Sequence, residues 1–198
     1  MCCRYGYEPG VIEEFGFEMQ HVGTDVKNYP ASDVHPSDPA VVIKTALDAS
    51  AVCVCIMPWG FCSPDRKLLI NARAESVFEK KRFSDSIWHR RCIVPARKFY
   101  EWDRNKVKNT FFLPGGDAIY MAGFYDLNDN TDRFIILTTA ANQSMEPVHD
   151  RMPVIMTKEM ARDWLFDGSC VRSILMETPP VLNRHSDYEQ LSFLDMDI

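Results

Sequence analysis

The chain has 198 residues, 46% of them hydrophobic and 12% aromatic, which is sufficient for one domain with a sizeable core. No run of about 18 apolar residues occurs, which excludes a membrane-spanning helix, and Arg4, Glu8 and Glu13 interrupt any signal-peptide core, so we expect a cytoplasmic protein. The net charge of −6 by itself disfavours binding to nucleic acid.

The charge is unevenly distributed along the chain. Residues 66–108 contain thirteen Lys/Arg and only five Asp/Glu, and the rest of the chain is strongly acidic. Such asymmetry is typical of a polyanion-binding face, although a solvated helix face around 79–82 explains the charge equally well.

Periodicity and turn residues predict the elements of the first half of the chain. In order, these are a helix over 11–19, a loop over 23–39, a hairpin of strands 40–44 and 51–57, a helix over 71–76 with Asn71 as its N-cap, and an amphipathic helix over 77–88.

The second half is predicted to be richer in strands. In order, we expect strands at 91–96, 98–102, 110–113, 118–125 and 133–139, a loop over 140–151, a strand at 153–156, and helices at 158–166 and 171–176. Many short strands in hairpin-like succession favour an α+β fold: one domain over 2–198 with a mainly antiparallel, partly barrel-like β-sheet, a few flanking helices and a loosely ordered tail over 177–198.

The seven cysteines are odd in number, and no C-x-x-C pair occurs. Cys53 and Cys55 are two residues apart, which places both on the same face of a predicted strand. Packing in the core explains them better than a zinc site, so we expect no bound metal. No G-x-G-x-x-G or P-loop sequence is present, so we expect no nucleotide or other cofactor.

Cys2 has chemistry that no internal cysteine has, provided that Met1 is removed. Its α-amine then condenses with an aldehyde to an imine, and its thiol closes a five-membered ring. A frayed terminus is the alternative interpretation, because a lone cysteine needs partners before it acts as a nucleophile.

Three polar residues are candidate partners. Glu101 lies between Tyr100 and Trp102, so by alternation it is exposed if the aromatics face the core, and it is a proton carrier with a raised pKa if it faces a pocket. His149 is a general acid/base candidate in a loop, and Asn71 can orient a reactant or simply cap a helix.

The chain resembles the SRAP (SOS-response-associated peptidase) family, which includes abasic-site sensors that crosslink to single-stranded DNA. The resemblance covers about residues 2–165 and rests on separated motifs in the family's order: Met1-Cys2, Pro58-Trp59-Gly60-Phe61, Asn71-Ala72-Arg73-Ala74-Glu75, Arg91–Ala96 running into Phe99-Tyr100-Glu101-Trp102, Thr138–Asn142, His149–Ile155 and Asp163-Trp164-Leu165.

The resemblance implies a role for each matching residue. Cys2 corresponds to the nucleophile, with Asn71, Glu101 and His149 as the other active-site positions. The DNA contacts are expected from Arg73, Arg151, Trp59 and Arg4.

The implied function is covalent capture of abasic sites in single-stranded DNA, as part of the DNA-damage (SOS) response. The Cys2 amine and thiol would form a thiazolidine crosslink, in a lyase-like reaction accompanied by a self-processing peptidase activity. The expected partner is single-stranded DNA with abasic sites, and the protein is expected to be a monomer near the bacterial nucleoid.

Two features depart from the family pattern: Cys3 stands where glycine is usual, and Asp33 replaces a neutral amide. Three rival functions remain open. They are a cysteine hydrolase with a Cys2–His149 pair, a non-catalytic single-strand-binding domain that uses Trp59 and Trp102, and a structural or metal-binding protein.

Overall fold

The computed structural model describes residues 3–16, 19–22, 24–46, 51–62, 65, 67–127 and 131–187. The strands of these residues are β1 Arg4–Tyr7, β2 Met19–Val22, β3 Ser32–Val34, β4 Pro39–Thr45, β5 Val52–Pro58, β6 Phe61–Cys62, β7 Leu68–Leu69, β8 Asn71–Arg73, β9 Arg91–Ala96, β10 Lys98–Trp102, β11 Lys108–Phe112, β12 Ile119–Asp126, β13 Arg133–Ala140, β14 Arg151–Pro153, β15 Ile155–Met156 and β16 Asn183–Ser186. The α-helices are α1 Gly10–Phe15, α2 Thr24–Lys27, α3 Lys81–His89, α4 Lys158–Phe166 and α5 Val171–Met176, and short 3₁₀ turns cover Ala74–Ser76, Pro114–Gly116 and Gly168–Cys170.

Two mainly antiparallel β-sheets form most of the described structure. The larger sheet follows the order β14-β13-β12-β9-β4-β5-β2, with β15 added to β12 and β8 added to β13. The smaller sheet follows the order β16-β11-β10-β1-β3 and is antiparallel throughout. This is the predicted α+β class, but the strand orders of the described residues are open, so the barrel-like element of the prediction is wrong.

Several predicted elements are confirmed because their signals are local. The strands Arg91–Ala96 and Lys98–Trp102 and the helix Lys158–Phe166 have the predicted bounds. Thr157 caps that helix, since its hydroxyl accepts a hydrogen bond from the backbone N–H of Met160 at 3.2 Å.

The first helix is shorter than predicted because of a glycine. Gly16 has φ of 71° in the left-handed region, which ends α1 after Phe15. The predicted loop over 23–39 also contains a short helix, α2, and a strand, β3.

Residues 71–76 were predicted as helix, and this is wrong. Asn71 begins strand β8, which pairs in parallel with β13, so Asn71 is not a helix cap. The amphipathic helix α3 begins only at Lys81.

The tail was expected to be loosely ordered, and part of that expectation is wrong. Strand β16, Asn183–Ser186, extends the smaller sheet along β11. The Asn142 side-chain amide donates to the carbonyls of Pro179 and Pro180, both at 2.9 Å, and anchors the segment that leads to this strand. Residues 188–198 lie outside the described part of the chain.

The core between the sheets is built on aromatic contacts around Trp59, which is 0% exposed. Its ring stacks at 8° on Phe134 and lies 5.3 Å from Tyr5, and its Nε1 donates to the Ile70 carbonyl at 2.9 Å. Trp59 therefore links β1 of the smaller sheet to β13 of the larger one.

The six cysteines of the described residues are free thiols. Burial is the main cause that raises the pKa of the Cys55 thiol to about 11, which supports the packing role predicted from the strand pattern. No cluster of three or more His, Cys, Asp or Glu in the described part of the chain could hold a metal ion. None of the helices described is long and apolar enough to cross a membrane.

We predict that Trp59→Ala lowers the free energy of unfolding by about 3–5 kcal/mol, because it removes the largest buried ring and leaves a cavity between the sheets. Urea unfolding followed by circular dichroism measures this change. Trp88→Ala is the matched control, since Trp88 is 36% exposed and its loss should cost about 1 kcal/mol. Equal losses in the two variants would contradict the central packing role of Trp59.

Candidate active site around Glu101

Strand pairing in the smaller sheet places the described start of the chain beside Glu101. Arg4 pairs with Tyr100 in the antiparallel register of β1 and β10, so Cys3, the first described residue, lies opposite Glu101. Burial is the main cause that raises the pKa of the Cys3 thiol, and the charge of Glu101 raises it further. Cys2, the predicted nucleophile, is outside the described residues.

Glu101 faces the interior of the protein. Its neighbour Tyr100 points to the opposite face of the sheet, where its hydroxyl donates to Asp33 Oδ1 at 2.8 Å. Glu101 itself is 5% exposed. Of the two orientations that alternation left open, the structure therefore selects the one in which the carboxylate is directed inward, beside the N-terminal segment.

His149 and Trp102 line one cleft of about 780 Å³. One wall is the turn between β10 and β11, including Arg104 and Asn105, and the other is the loop over 140–150. Trp102 directly follows Glu101, so the cleft runs past the end of the strand that carries the buried carboxylate. The cleft is large enough for a nucleotide-sized ligand.

The local backbone sets the proton position on the His149 ring. The backbone N–H of Arg151 donates to His149 Nδ1 at 2.9 Å, which requires that nitrogen to be unprotonated and leaves the proton of the neutral ring on Nε2. Asp150 Oδ1 also lies 3.0 Å from Nδ1, an arrangement that suits only the protonated ring. The backbone contact governs the neutral form, since the Asp150 side chain is 85% exposed and can rotate away.

Asn71 is placed by the parallel pairing of β8 with β13. It lies opposite Ile136, and two residues further along the ladder Arg73 lies beside Thr138. Trp59 donates to the carbonyl of Ile70, so the same ring that packs on Tyr5 of β1 also fixes the start of β8. Asn71 is half-buried there.

The three predicted DNA-binding arginines have different environments. Arg73 is exposed. Arg151 forms a two-pronged ion pair with Glu75, at 2.5 and 2.9 Å, and donates to the Thr138 carbonyl at 2.6 Å. The Arg151 hydrogen bonds are the main cause that holds the pKa of Glu75 below its usual value.

Arg4 is paired with Asp33, the acidic residue that replaces the family's neutral amide. The Arg4 guanidinium contacts the Asp33 carboxylate and lies 5.1 Å from the centre of the Tyr100 ring. Burial by itself raises the pKa of Asp33, but the hydrogen bonds from Arg4 and Tyr100 outweigh it and hold that pKa below its usual value. A phosphate at Arg4 would compete with this carboxylate.

The prediction that Trp59 contacts DNA is wrong, and so is the rival reading that uses Trp59 as a stacking platform. A ring that is 0% exposed and packed on Phe134 has no face open to a base. Trp102 is half-buried and lines the cleft, where a ligand could reach its ring.

Three cations of the basic stretch over 66–108 pair with acids from elsewhere in the chain. Arg90 pairs with Asp126, Arg97 pairs with Glu8 and Glu14, and Lys108 pairs with Asp187. The exposed cations of the stretch include Arg73, Lys80, Lys81, Arg104 and Lys106. A continuous basic face is therefore reduced to shorter patches, one of which, at Arg104 and Lys106, borders the cleft.

Sequence reasoning missed Glu75 as the partner of Arg151. The two residues are 76 positions apart, and the contact depends on β8 and β14 both joining β13. No local pattern signals that pairing.

Comparison with known proteins agrees with this architecture. Residues 1–188 match the family model described as SOS response associated peptidase (SRAP). The chain is 33% identical over 170 residues to the abasic site processing protein YoqW of Bacillus subtilis, covering 78% of this chain and 74% of that protein. It is 33% identical over 183 residues to YoaM of the same organism, with 83% and 79% covered, and 33% identical over 116 residues to YedK of Escherichia coli, with 54% and 52% covered.

Solved structures share the fold. A protein from Bordetella bronchiseptica superposes with a TM-score of 0.77 at 22% identity and covers 93% of this chain and 99% of its own. A protein from Bacteroides thetaiotaomicron also gives 0.77, at 24% identity, with 93% and 91% covered. With the family model matched over nearly the whole chain, this protein belongs to the SOS response associated peptidase (SRAP) family.

Proposed function

We propose that this protein processes abasic sites in DNA by forming a covalent crosslink through Cys2 once Met1 is removed. The relatives named above are called abasic site processing proteins, which supports the substrate class. The observation that carries the proposal is the placement of Cys3 opposite the buried Glu101, because it brings the N-terminal segment to a carboxylate beside a nucleotide-sized cleft.

The chemistry proceeds in two steps. The Cys2 α-amine adds to the aldehyde carbon of the ring-opened abasic sugar and gives a carbinolamine, which loses one water to form an imine. The Cys2 thiol then adds to the imine carbon, its proton passes to the nitrogen, and the product is a thiazolidine. Overall, one water leaves and no oxidant or metal is consumed.

The surrounding residues supply proton transfer and orientation. The protonated His149 ring, whose Nδ1 lies 3.0 Å from Asp150 Oδ1, can protonate the departing hydroxyl through Nε2, and the neutral ring keeps a hydrogen-bond donor at Nε2. The Glu101 carboxylate is the acceptor for the proton released by the attacking amine or thiol. Asn71, held by β8, orients the amine or the sugar oxygens.

Single-stranded DNA fits the cleft better than a duplex, because the sugar must leave the stack to reach the N-terminal segment. Trp102 offers a stacking surface at the cleft edge, and Arg73 offers an exposed cation for a phosphate. In this proposal Arg151 acts mainly by linking β14 to the turn after β8 through its ion pair with Glu75. It binds a phosphate only if the phosphate replaces the Glu75 carboxylate.

A peptidase activity is the second candidate, favoured by the name of the family. The same N-terminal thiol would attack an amide carbonyl, with His149 as the proton donor to the leaving amine. We propose that this activity is confined to processing at the N-terminus. Cleavage of an added peptide substrate, lost in Cys2→Ala, would instead support a general hydrolase.

We predict that protein lacking Met1 gives a denaturation-resistant, slower band with single-stranded DNA that contains one abasic site. Cys2→Ala should abolish the band, since it removes the thiol that closes the ring and leaves the α-amine able to form only a hydrolysable imine. Cys3→Ala is the matched control and should retain it, because the Cys3 nitrogen is an amide. The measurement is a denaturing gel with labelled DNA.

Protein that keeps Met1 should bind the same DNA without crosslinking, because its primary amine is on the wrong residue. Normal crosslinking by that form would contradict attack by the Cys2 amine. A band that survives Cys2→Ala would show that a stable crosslink does not require the Cys2 thiol, and would contradict the thiazolidine.

We predict that Arg73→Ala weakens non-covalent binding to single-stranded DNA and lowers the salt-dependence slope by about 0.7, the value for one lost phosphate contact. The ratio of wild-type to variant affinity should therefore fall as salt rises, as measured by fluorescence anisotropy. Lys80→Ala removes an equally exposed charge outside the cleft and should leave both quantities unchanged. If the two variants behave alike, Arg73 has no specific phosphate contact.

A further inference from the structure

One row of polar side chains crosses the buried face of the smaller sheet. Glu101 lies opposite Asn109, and Asn109 lies opposite Ser186. These side chains are 5%, 2% and 7% exposed. In the described part of the chain only five polar or charged residues are this deeply buried, and three of them belong to this row.

The row stands out against its neighbours on the same face. Two positions along β10 and β11 the residues are Phe99 and Phe111, and Tyr5 of β1 lies opposite Phe99; all three are buried aromatics. Residues directly opposite in an antiparallel pair have Cβ atoms about 4.5–5.5 Å apart and point to the same side. Burying an amide and a hydroxyl in such surroundings is unfavourable unless they are hydrogen-bonded.

The orientation of the Asn109 amide is fixed at one end. Its Nδ2 donates to the Val107 carbonyl at 3.0 Å. Val107 is itself held by Asp103, whose Oδ1 accepts from the Val107 N–H at 2.9 Å and whose own N–H donates to the Val107 carbonyl at 3.1 Å. The amide is therefore anchored to the rigid turn that also forms one wall of the cleft.

We propose that Asn109 is a positioning residue for Glu101. The Val107 carbonyl accepts one of the two Asn109 amide hydrogens. The Glu101 carboxylate lies directly opposite Asn109 on the adjacent strand, and a hydrogen bond from the second amide hydrogen is the contact that would hold this carboxylate toward Cys3. The inference rests on the proposed crosslinking function, because it assigns Asn109 its effect through the proton acceptor of that reaction.

Ser186 completes the row from the C-terminal strand. It lies opposite Asn109 on the side away from Glu101, and Asn142 anchors the two prolines that precede its strand, β16. Through this row, the C-terminal part of the chain supports a carboxylate that serves the N-terminus.

The test compares Asn109→Leu, which keeps the side-chain volume, with wild type in single-turnover crosslinking to abasic-site DNA. The rate should fall roughly ten- to hundredfold, the equivalent of one hydrogen bond to a charged group. Affinity for DNA with a non-reactive tetrahydrofuran site should be unchanged. Thr110→Val, on the opposite face of β11, is the matched control and should react at the wild-type rate.

A double-mutant comparison separates positioning from a general structural effect. If Asn109 acts through Glu101, the double variant Glu101→Gln/Asn109→Leu should be no slower than Glu101→Gln alone. Losses that multiply would overturn the inference. If Asn109→Leu fails to fold, as judged by its thermal midpoint, Ser186→Ala is compared in the same way and should slow the reaction several-fold.

The outcomes distinguish this inference from the proposed function. A wild-type protein that forms no crosslink would overturn the function, and this inference with it. A wild-type crosslink that Asn109→Leu forms at the same rate would overturn the inference alone.

Discussion

The antiparallel pairing of β1 with β10 is the constraint on which the proposed site depends. It fixes the register in which Cys3 lies opposite Glu101 and so determines where the first residues of the chain can react. Trp59 supports this pairing from the other sheet, since it packs on Tyr5 and binds the carbonyl that precedes Asn71. One buried ring thus holds together two segments that are far apart in the sequence and that both contribute to the site.

Fewer positively charged residues are available to bind DNA phosphates than the composition of the basic stretch indicates. Three cations of the basic stretch pair with carboxylates from outside it. Arg4 and Arg151, two of the predicted phosphate ligands, are already paired with Asp33 and Glu75. A phosphate that binds either arginine must first displace the carboxylate, and the free energy of breaking that ion pair weakens its binding. Recognition of DNA is therefore expected to depend on the cleft, with Trp102 and nearby exposed cations, more than on the whole surface.

Local signals predicted much of the fold, and non-local contacts account for the errors. The strand Lys98–Trp102 and the helix Lys158–Phe166 were predictable because alternation, periodicity and a capping threonine lie within the segments themselves. Asn71 was predicted in a helix because its neighbours favour one, but pairing with β13 outweighs that preference. Alternation could not decide which way Glu101 faces, since the direction depends on where the second sheet packs. The row of polar residues through Asn109 could not be predicted without knowing the order of the strands in the smaller sheet.

The central claim is that Cys2 uses both its amine and its thiol, and mass spectrometry of the denatured crosslinked protein tests it most directly. The account predicts an adduct on the peptide that begins at Cys2, with a mass equal to the sum of the two reactants minus one water. It also predicts that a thiol-alkylating reagent then labels six of the seven cysteines, because the Cys2 sulfur is in the ring. An adduct at another residue, or a Cys2 thiol that is still alkylated in the crosslinked protein, would contradict the account.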